Sequence, residues 1–349
     1  SPVVYFAGVI NPARGGTLMG KEANQRLVVG VDLGATKVLA GVVDANHKIL
    51  ATAKRATKGS QGVEPVIERI AKTIRDAVKA AHLSLDDIAG VCSAAPGALN
   101  PDEGVVRFAP NIEGWEEIPF ARLLSEQLGG LPVFIENDAN LGVLGELTLG
   151  AGRGVKNIVG IFVGTGIGGG IVLDGKVWRG SHMTAGELGH VVIMADGPVC
   201  GCGNRGCLEA VSSRTAIERD IRLGLRRGRE SLIADWLQQE GRDRITSGIL
   251  AQAYESRDPL VYEVISRSQH YLGIFIGSII NFIDPDMIVI GGGVAEALGE
   301  AYVEPVRAVA YQYAINGRDA RSVPIVLAQL GDNAALLGAA VHARKRLAA

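Results

Sequence analysis

The sequence predicts an α/β protein built as two similar domains that face one cleft. Three observations carry this. The length, 349 residues, suits about two domains of roughly 150 residues each. The run Ile158–Gly164, moved back by about 130 residues, lies on Val28–Gly34, and Val172-Leu173-Asp174 lies on Val42-Val43-Asp44, so a strand–glycine turn–strand unit occurs early in each half. No low-complexity linker separates the halves, so they are expected to pack against each other.

Taken in order, Arg26–Asp32, Val38–Val43 and Ile49–Ala56 read as a three-strand meander, with Asp44-Ala45-Asn46 as a turn. Val63–Ala81 has helical spacing with Pro65 in its first turn. Ile88–Ala94 is a buried strand that stops at Pro96-Gly97. A helix over Pro119–Leu128, a strand over Pro132–Glu136 and a helix over Ala139–Leu149 complete the first half. The second half repeats the opening unit, then runs through a cysteine-rich loop and a helix-dominated stretch, Ser212–Ile283. A strand over Met287–Ile290 ends in Gly291-Gly292-Gly293. A helix from Ala295, a strand near Ile325 and a helix over Asn333–Leu347 follow.

Composition bounds the function. Hydrophobic residues are 47% and charged residues 21% of the chain, enough to bury a core and unlike a disordered protein. Thirty-five Lys+Arg against 37 Asp+Glu leave a formal net charge of −2, which speaks against a nucleic-acid or polybasic membrane surface. No apolar run reaches the ~18 residues of a membrane helix. Val3–Ile10 is apolar but lacks the basic start and small-residue cleavage site of a secretory signal. The first Met is Met19, and residues 1–26 read as an extension ahead of the fold. The 47 glycines are nearly twice the usual share of about 7%.

Several of these glycines stand at strand ends. Asp32-Leu33-Gly34-Ala35-Thr36-Lys37 is either an ordinary hairpin turn with a surface acid or a phosphate-binding turn whose Asp32 holds hydrated Mg²⁺. Gly164-Thr165-Gly166-Ile167-Gly168-Gly169-Gly170 fills the equivalent place with five glycines, far more than a hairpin needs. A strand rather than a helix follows it, so a dinucleotide fingerprint does not fit. Paired turns would clamp phosphates, and Gly291–Gly293 offers a third close surface suited to a nucleoside. In Glu136-Asn137-Asp138-Ala139-Asn140, Asn137 or Asp138 can cap a helix; alternatively Asp138 removes a proton from a substrate hydroxyl.

The four cysteines are Cys92, Cys200, Cys202 and Cys207. With His190, the last three suit a closed tetrahedral Zn²⁺ site, which is structural rather than catalytic; Cys92 reads as core. Thiols in this pattern, without an export signal, favour the reducing cytoplasm. Glu187 and Glu209 flank the loop; they read either as solvated surface groups or, with Asn111, as acceptors that could hold sugar hydroxyls.

From about Leu27 onward these motifs resemble the ROK group (repressors, open reading frames and sugar kinases), within the actin-like, hexokinase-like (ribonuclease H-like) ATPase fold with a central cleft. The resemblance rests on Asp32–Lys37, Pro96-Gly97, Glu136–Asn140, Gly164–Gly170, Gly186-Glu187-Leu188-Gly189-His190 and Cys200–Glu209, and is strongest to the bacterial glucokinase branch. It implies ATP-dependent phosphorylation of D-glucose at the 6-hydroxyl with Asp138 as general base. Gly97, Asn111, Asn137, Glu187, His190 and Glu209 would line the sugar pocket. Gly34, Ala35, Thr36, Lys37, Gly164, Thr165 and Gly166 would hold the ATP phosphates, Gly291, Gly292 and Gly293 would border the adenosine, and Mg²⁺ would sit near Asp32. His190 would also bind Zn²⁺ with Cys200, Cys202 and Cys207. Domain closure and a homodimer are implied too. The expected divisions are 27–138 (small domain), 139–332 (large domain with the zinc loop) and 333–349, a terminal helix packed on the small domain. Gly34-Ala35 departs mildly from the two glycines of many relatives. A kinase of mannose, fructose, allose or N-acetylmannosamine is the alternative, with polyphosphate as a second donor to consider. A ROK regulator would need a helix-turn-helix, and the 26 residues before Leu27, with three basic side chains, are too few for one.

Overall fold

The computed structural model describes residues 27–34, 36–109, 112–241, 244–315 and 322–349. The expected extension over 1–26, together with Ala35 and Asn111, lies outside the described residues. The first half contains β1 (Leu27–Leu33), β2 (Lys37–Val43), β3 (Ile49–Ala56), α1 (Val63–Ala80), β4 (Ile88–Ala95), β5 (Ala98–Asn100), β6 (Val105–Phe108), β7 (Glu116–Ile118), α2 (Phe120–Gln127), β8 (Val133–Asn137) and α3 (Asp138–Leu149). The second contains β9 (Ile158–Val163), β10 (Ile167–Leu173), β11 (Lys176–Val177), α4 (Leu208–Ser212), α5 (Arg214–Arg226), α6 (Leu232–Glu240), α7 (Ser247–Glu255), α8 (Pro259–Ile283), β12 (Met287–Gly291), α9 (Gly293–Leu298), α10 (Glu300–Tyr313), β13 (Ile325–Leu327) and α11 (Ala334–Leu347).

The repeat read from two strand–turn–strand units extends to whole sheets. One sheet has the order β3-β2-β1-β4-β8 and the other β11-β10-β9-β12-β13. In each, the central strand pairs antiparallel with its hairpin partner and parallel with the strand on its other side. The central strands are buried along most of their length, whereas β3 alternates half-buried and exposed residues, as an outer strand with one wet face should. Helix α1 buries Val66, Ile67, Ile70, Ala71, Ile74, Ala77 and Val78, the three-and-four spacing of one apolar face.

Two helices join the halves. Helix α3 is buried nearly all round and packs on β9 and β10 of the second sheet and on α11. Helix α11 follows the second sheet in the chain but lies against β1 and β4 of the first. The two helices cross closely because Gly338 has no side chain: a Cβ there would stand 1.8 Å from the Leu141 carbonyl oxygen. Glu146, fully buried on α3, ties the helix down further. Its Oε1 accepts the N–H groups of Gln329 and Leu330 at 3.0 and 2.8 Å, and its Oε2 accepts that of Ala151 at 2.9 Å. The residue that begins α3, Asp138, is thereby held in place by both halves.

Two differences from the sequence reading have physical causes. The small sheet β5-β6-β7 was not foreseen, because strands of three or four residues show too little alternation to stand out. The helix expected from Ala295 starts at Gly293 and is interrupted at Gly299 before α10 begins. Among the described residues no helix is long and apolar enough to cross a membrane.

Candidate active site

A cavity of about 500 Å³ opens between the halves. Asp32 reaches it from the end of β1, Asp138 from the start of α3, Gly164 and Gly166 from the turn after β9, Glu209 from α4, and Gly292 and Gly293 from beyond β12; Asp332 lines it too. Asp138 touches solvent in this cleft yet is crowded by protein, and that crowding holds its carboxyl above the usual carboxylate range, opposed by the Ala139 N–H that it accepts at 2.8 Å. Asp32 is pushed up to about 6, first by burial, then by the Asp138 charge, with Lys37 pulling it back.

The glycine turns are braced from outside. Gly34 donates to the Lys37 carbonyl at 2.9 Å, and the Thr57 hydroxyl donates to Gly34 O at 2.6 Å while the Thr57 N–H reaches Thr36 O. Gly164 donates to Gly166 O at 2.9 Å, the Thr215 hydroxyl donates to Thr165 O at 2.7 Å, and Arg214 Nη2 donates to Thr165 Oγ1 at 3.0 Å. Glu209 Oε2 accepts the Ile167 N–H at 2.9 Å, so the carboxylate is tied to the same turn. Thr57, Arg214 and Thr215 were missed by sequence reasoning, since nothing local marks a threonine or arginine that acts across a turn. Gly292 has φ +85°, and a Cβ there would lie 2.7 Å from the Val163 backbone, so only glycine fits. Gly291 is buried, and its missing side chain makes room for Phe162 and Ala328 rather than for a ligand.

Gly97, Asn137 and Glu187 do not line the large cavity. They line an adjoining one of about 150 Å³, with Glu136, Asn140 and Arg179. Asn137 caps α3: its Oδ1 accepts the N–H groups of Ala139 and Asn140 at 3.0 and 3.2 Å, which leaves its Nδ2 donors for other partners. Both readings of this motif thus coexist, Asn137 capping and Asp138 facing the cleft. Burial raises the Glu187 carboxyl, with His190 lowering it and Asp138 and Glu209 raising it. Glu136 and Arg179 form a buried ion pair that sequence reasoning missed; the partners are far apart in sequence and Arg179 sits in a loop without periodicity.

His190, Cys200, Cys202 and Cys207 come together with all their ligand atoms within 4.8 Å of one another. Cys202 Sγ and Cys207 Sγ are 3.7 Å apart, and Cys200 Sγ and His190 Nδ1 are 3.6 Å apart. Zn–S bonds of about 2.3 Å and Zn–N bonds of about 2.0–2.1 Å put two sulfurs of a tetrahedron about 3.8 Å apart, and a sulfur and nitrogen about 3.6 Å apart. The donor set fits Zn²⁺ in spacing and in kind. Cys207 leads directly into α4, which carries Glu209, and Leu208 N–H binds Val191 O at 2.9 Å, so the cluster anchors acids on both sides of it. Cys92 is buried core.

Two sheets of like order, bridged by a buried helix and facing one cleft, define the actin-like, hexokinase-like ATPase fold. Residues 28–346 match the ROK family, and the chain belongs to it. A glucokinase of Thermotoga maritima is 36% identical over 323 residues, covering 92% of this chain and 98% of that protein. The crystal structure of a ROK family glucokinase from Streptomyces griseus in complex with glucose and AMPPNP has a TM-score of 0.80 at 33% identity, over 91% of this chain and 99% of that one. A putative xylose repressor from Caldicellulosiruptor is 31% identical, over 92% of this chain and 79% of that protein.

Proposed function

We propose that the protein transfers the γ-phosphoryl group of ATP to the 6-hydroxyl of D-glucose, giving glucose 6-phosphate and ADP. The observation that carries this is the place of Asp138, whose raised carboxyl shares one cavity with Asp32, Glu209 and the Gly164–Gly166 turn. The Thermotoga maritima glucokinase and the Streptomyces griseus glucokinase complex support the same reading.

In this reading Asp138 accepts the proton of the sugar 6-hydroxyl as the hydroxyl attacks, a contribution of about 10²–10⁴-fold. Asn137 donates to a sugar hydroxyl through Nδ2, Glu187 and Glu209 accept from others, and Gly97 and Asn111 complete the pocket. Nδ1 of His190 faces the thiols, so Nε2 is the nitrogen left for the sugar. Gly34, Ala35, Thr36, Lys37, Gly164, Thr165 and Gly166 hold the phosphates, and Gly291–Gly293 border the adenosine. Asp32 suits Mg²⁺, a hard cation bound by one or two carboxylates plus substrate phosphates; when bound it neutralises charge on the transferring group. Zn²⁺ on His190, Cys200, Cys202 and Cys207 is structural, and its thiolates suit the cytoplasm. The division at 138/139 and 332/333 puts the cleft between two closing domains, with α11 returning to the first. A homodimer is supported by the apolar groove of about 550 Å³ around Trp178, Val192 and Phe282, Phe282 being 85% exposed.

The test is a coupled ADP-release assay with glucose, mannose, fructose, allose and N-acetylmannosamine, using ATP and then polyphosphate. ATP with glucose should give the highest kcat/KM. Flat rates on every sugar would remove the kinase reading, and a sugar-binding regulator would bind glucose without releasing ADP.

A further inference from the structure

Beyond β12 the chain offers the large cavity backbone before it offers a polar side chain. Gly292 and Gly293 line the cavity, Val294 and Ala295 are buried in the core, and Glu296 is the first residue after the strand to bring a charged group to it. That carboxylate is pinned on one side only. Its Oε1 accepts the Gly292 N–H at 3.3 Å, while the Glu296 N–H donates to Gly292 O at 2.9 Å. Gly292 is itself fixed against the Val163 backbone, so the carboxylate hangs on a rigid turn. Its Oε2 accepts no hydrogen bond among the described residues. The nearest heavy atom to an ideal Cβ on Gly331, which also lines the cavity, would be this oxygen at 3.9 Å, so there is room beside it. The charges next to Glu296 are both negative, Asp332 and Glu146, and with burial they raise its carboxyl. A carboxylate oxygen with no cation beside it, in a cavity of ligand size, is left for the N–H or O–H donors of what binds there.

The same charges keep phosphate away from Glu296. Asp332 raises both Asp32 and Glu296, so it links the two along the cavity, with the Gly34 turn at the Asp32 end. A carboxylate repels phosphate oxygens and accepts from neutral donors. We infer that Glu296 is a specificity-determining residue for the nucleotide: its free Oε2 accepts a hydrogen bond from the nucleoside part of ATP, whether a ribose hydroxyl or the 6-amino group of adenine. This rests on the ATP-dependent glucose reading and deepens it. A deoxyribose lacks one of the hydroxyls, and hypoxanthine carries an acceptor oxygen in place of the 6-amino group. Either source therefore predicts that one analogue of ATP is rejected, because it leaves the acceptor unpaired or faces it with another acceptor.

The test measures KM and kcat with saturating glucose for ATP, 2′-deoxy-ATP, 3′-deoxy-ATP and inosine triphosphate, in the full chain and in Glu296→Ala and Glu296→Gln. In the wild type, one analogue should show a KM about 5–20-fold above that of ATP. A deoxy analogue identifies the ribose as the source, and inosine triphosphate the base. Glu296→Ala should raise KM for ATP by a similar factor and leave that one analogue no worse than in the wild type, the effect falling on KM rather than kcat. KM for glucose should stay within about twofold, since Glu296 does not line the smaller cavity. Glu296→Gln adds an N–H donor, so with the base as source it should improve inosine triphosphate relative to ATP; with the ribose as source it should leave that ratio unchanged. Equal weakening of all four nucleotides, as from a purely structural role, would overturn the inference. So would tighter binding of all four, as from relief of charge repulsion, or a wild type that treats them alike. If Glu296→Ala does not fold, Glu296→Gln is read by the same criteria. A wild type that releases no ADP from ATP with glucose overturns both this inference and the glucose reading; one that phosphorylates glucose without Glu296-dependent discrimination overturns this inference alone.

Discussion

Asp32 and Asp138 face one cavity and repel each other: the Asp138 charge is the second cause, after burial, of the rise of the Asp32 carboxyl to about 6. The two acids come from different elements, and the proposed reaction gives them different work. Removing one should therefore register on the other. Asp138→Asn should lower turnover by about 10²–10⁴-fold with the fold intact, and should bring Asp32 down toward its ordinary value. A coupled assay reads the first effect, and carboxyl NMR titration the second. Near wild-type turnover would remove the base assignment.

The acid limb of activity follows from the same crowding. As the proposed base, Asp138 would accept a proton only as carboxylate, and its value is raised from 3.8, so kcat/KM should fall with decreasing pH at a higher pH than for an unperturbed aspartate. For Asp32 the folded value of about 6 exceeds the unfolded 3.8. The folded state therefore holds that proton more tightly, and the stability it contributes is fully present below about pH 4 and lost as pH rises through 6. Without Mg²⁺, the Tm of the wild type should decline over that window relative to Asp32→Asn, and Mg²⁺ with nucleotide should flatten the difference. Parallel curves for the two proteins would contradict this.

The thiol cluster should hold about one Zn per chain, because four protein ligands close a single site. Metal analysis should find it, and Cys202→Ser should lose it. The loss should also lower Tm by several degrees, since metal binding to a site absent from the unfolded chain is folding free energy. KM for the sugar should rise as well, because His190, Glu187 and Glu209 are anchored around the cluster.

Glu146 offers a stability test away from the chemistry. It is fully buried and serves three backbone N–H groups. Glu146→Gln turns an amide N–H₂ toward one of those donors and should cost roughly 2–4 kcal/mol, a fall in Tm of about 5–10 °C. At 25 °C kcat should remain within about twofold, because Glu146 lines neither cavity. A large loss of kcat without loss of Tm would give the residue a different role.

Much of the fold was legible because the informative stretches are long and periodic. Strand β1, helix α1 and the repeat at Ile158 each carry a pattern of several residues. The grouping of His190, Cys200, Cys202 and Cys207 was legible because their spacing is that of a ligand set. What escaped was what acts across the chain. Arg179 answers Glu136 from 43 residues away, and Arg214 supports Thr165 from 49 away. The separate cavities for Asp138 and for Asn137 could not be read from adjacent letters, because the change from strand to helix between them turns their side chains apart.

The seating of α11 on the first sheet has a kinetic consequence. Arg344 Nη2 donates to Val43 O at 2.9 Å across 301 residues of chain, and the apolar layer of Val28, Cys92 and Ala94 is covered by Leu336, Ala340 and Ala343. Loop closure over such a span is slow. During refolding this layer is left uncovered until the far end of the chain arrives, which leaves apolar surface open to aggregation.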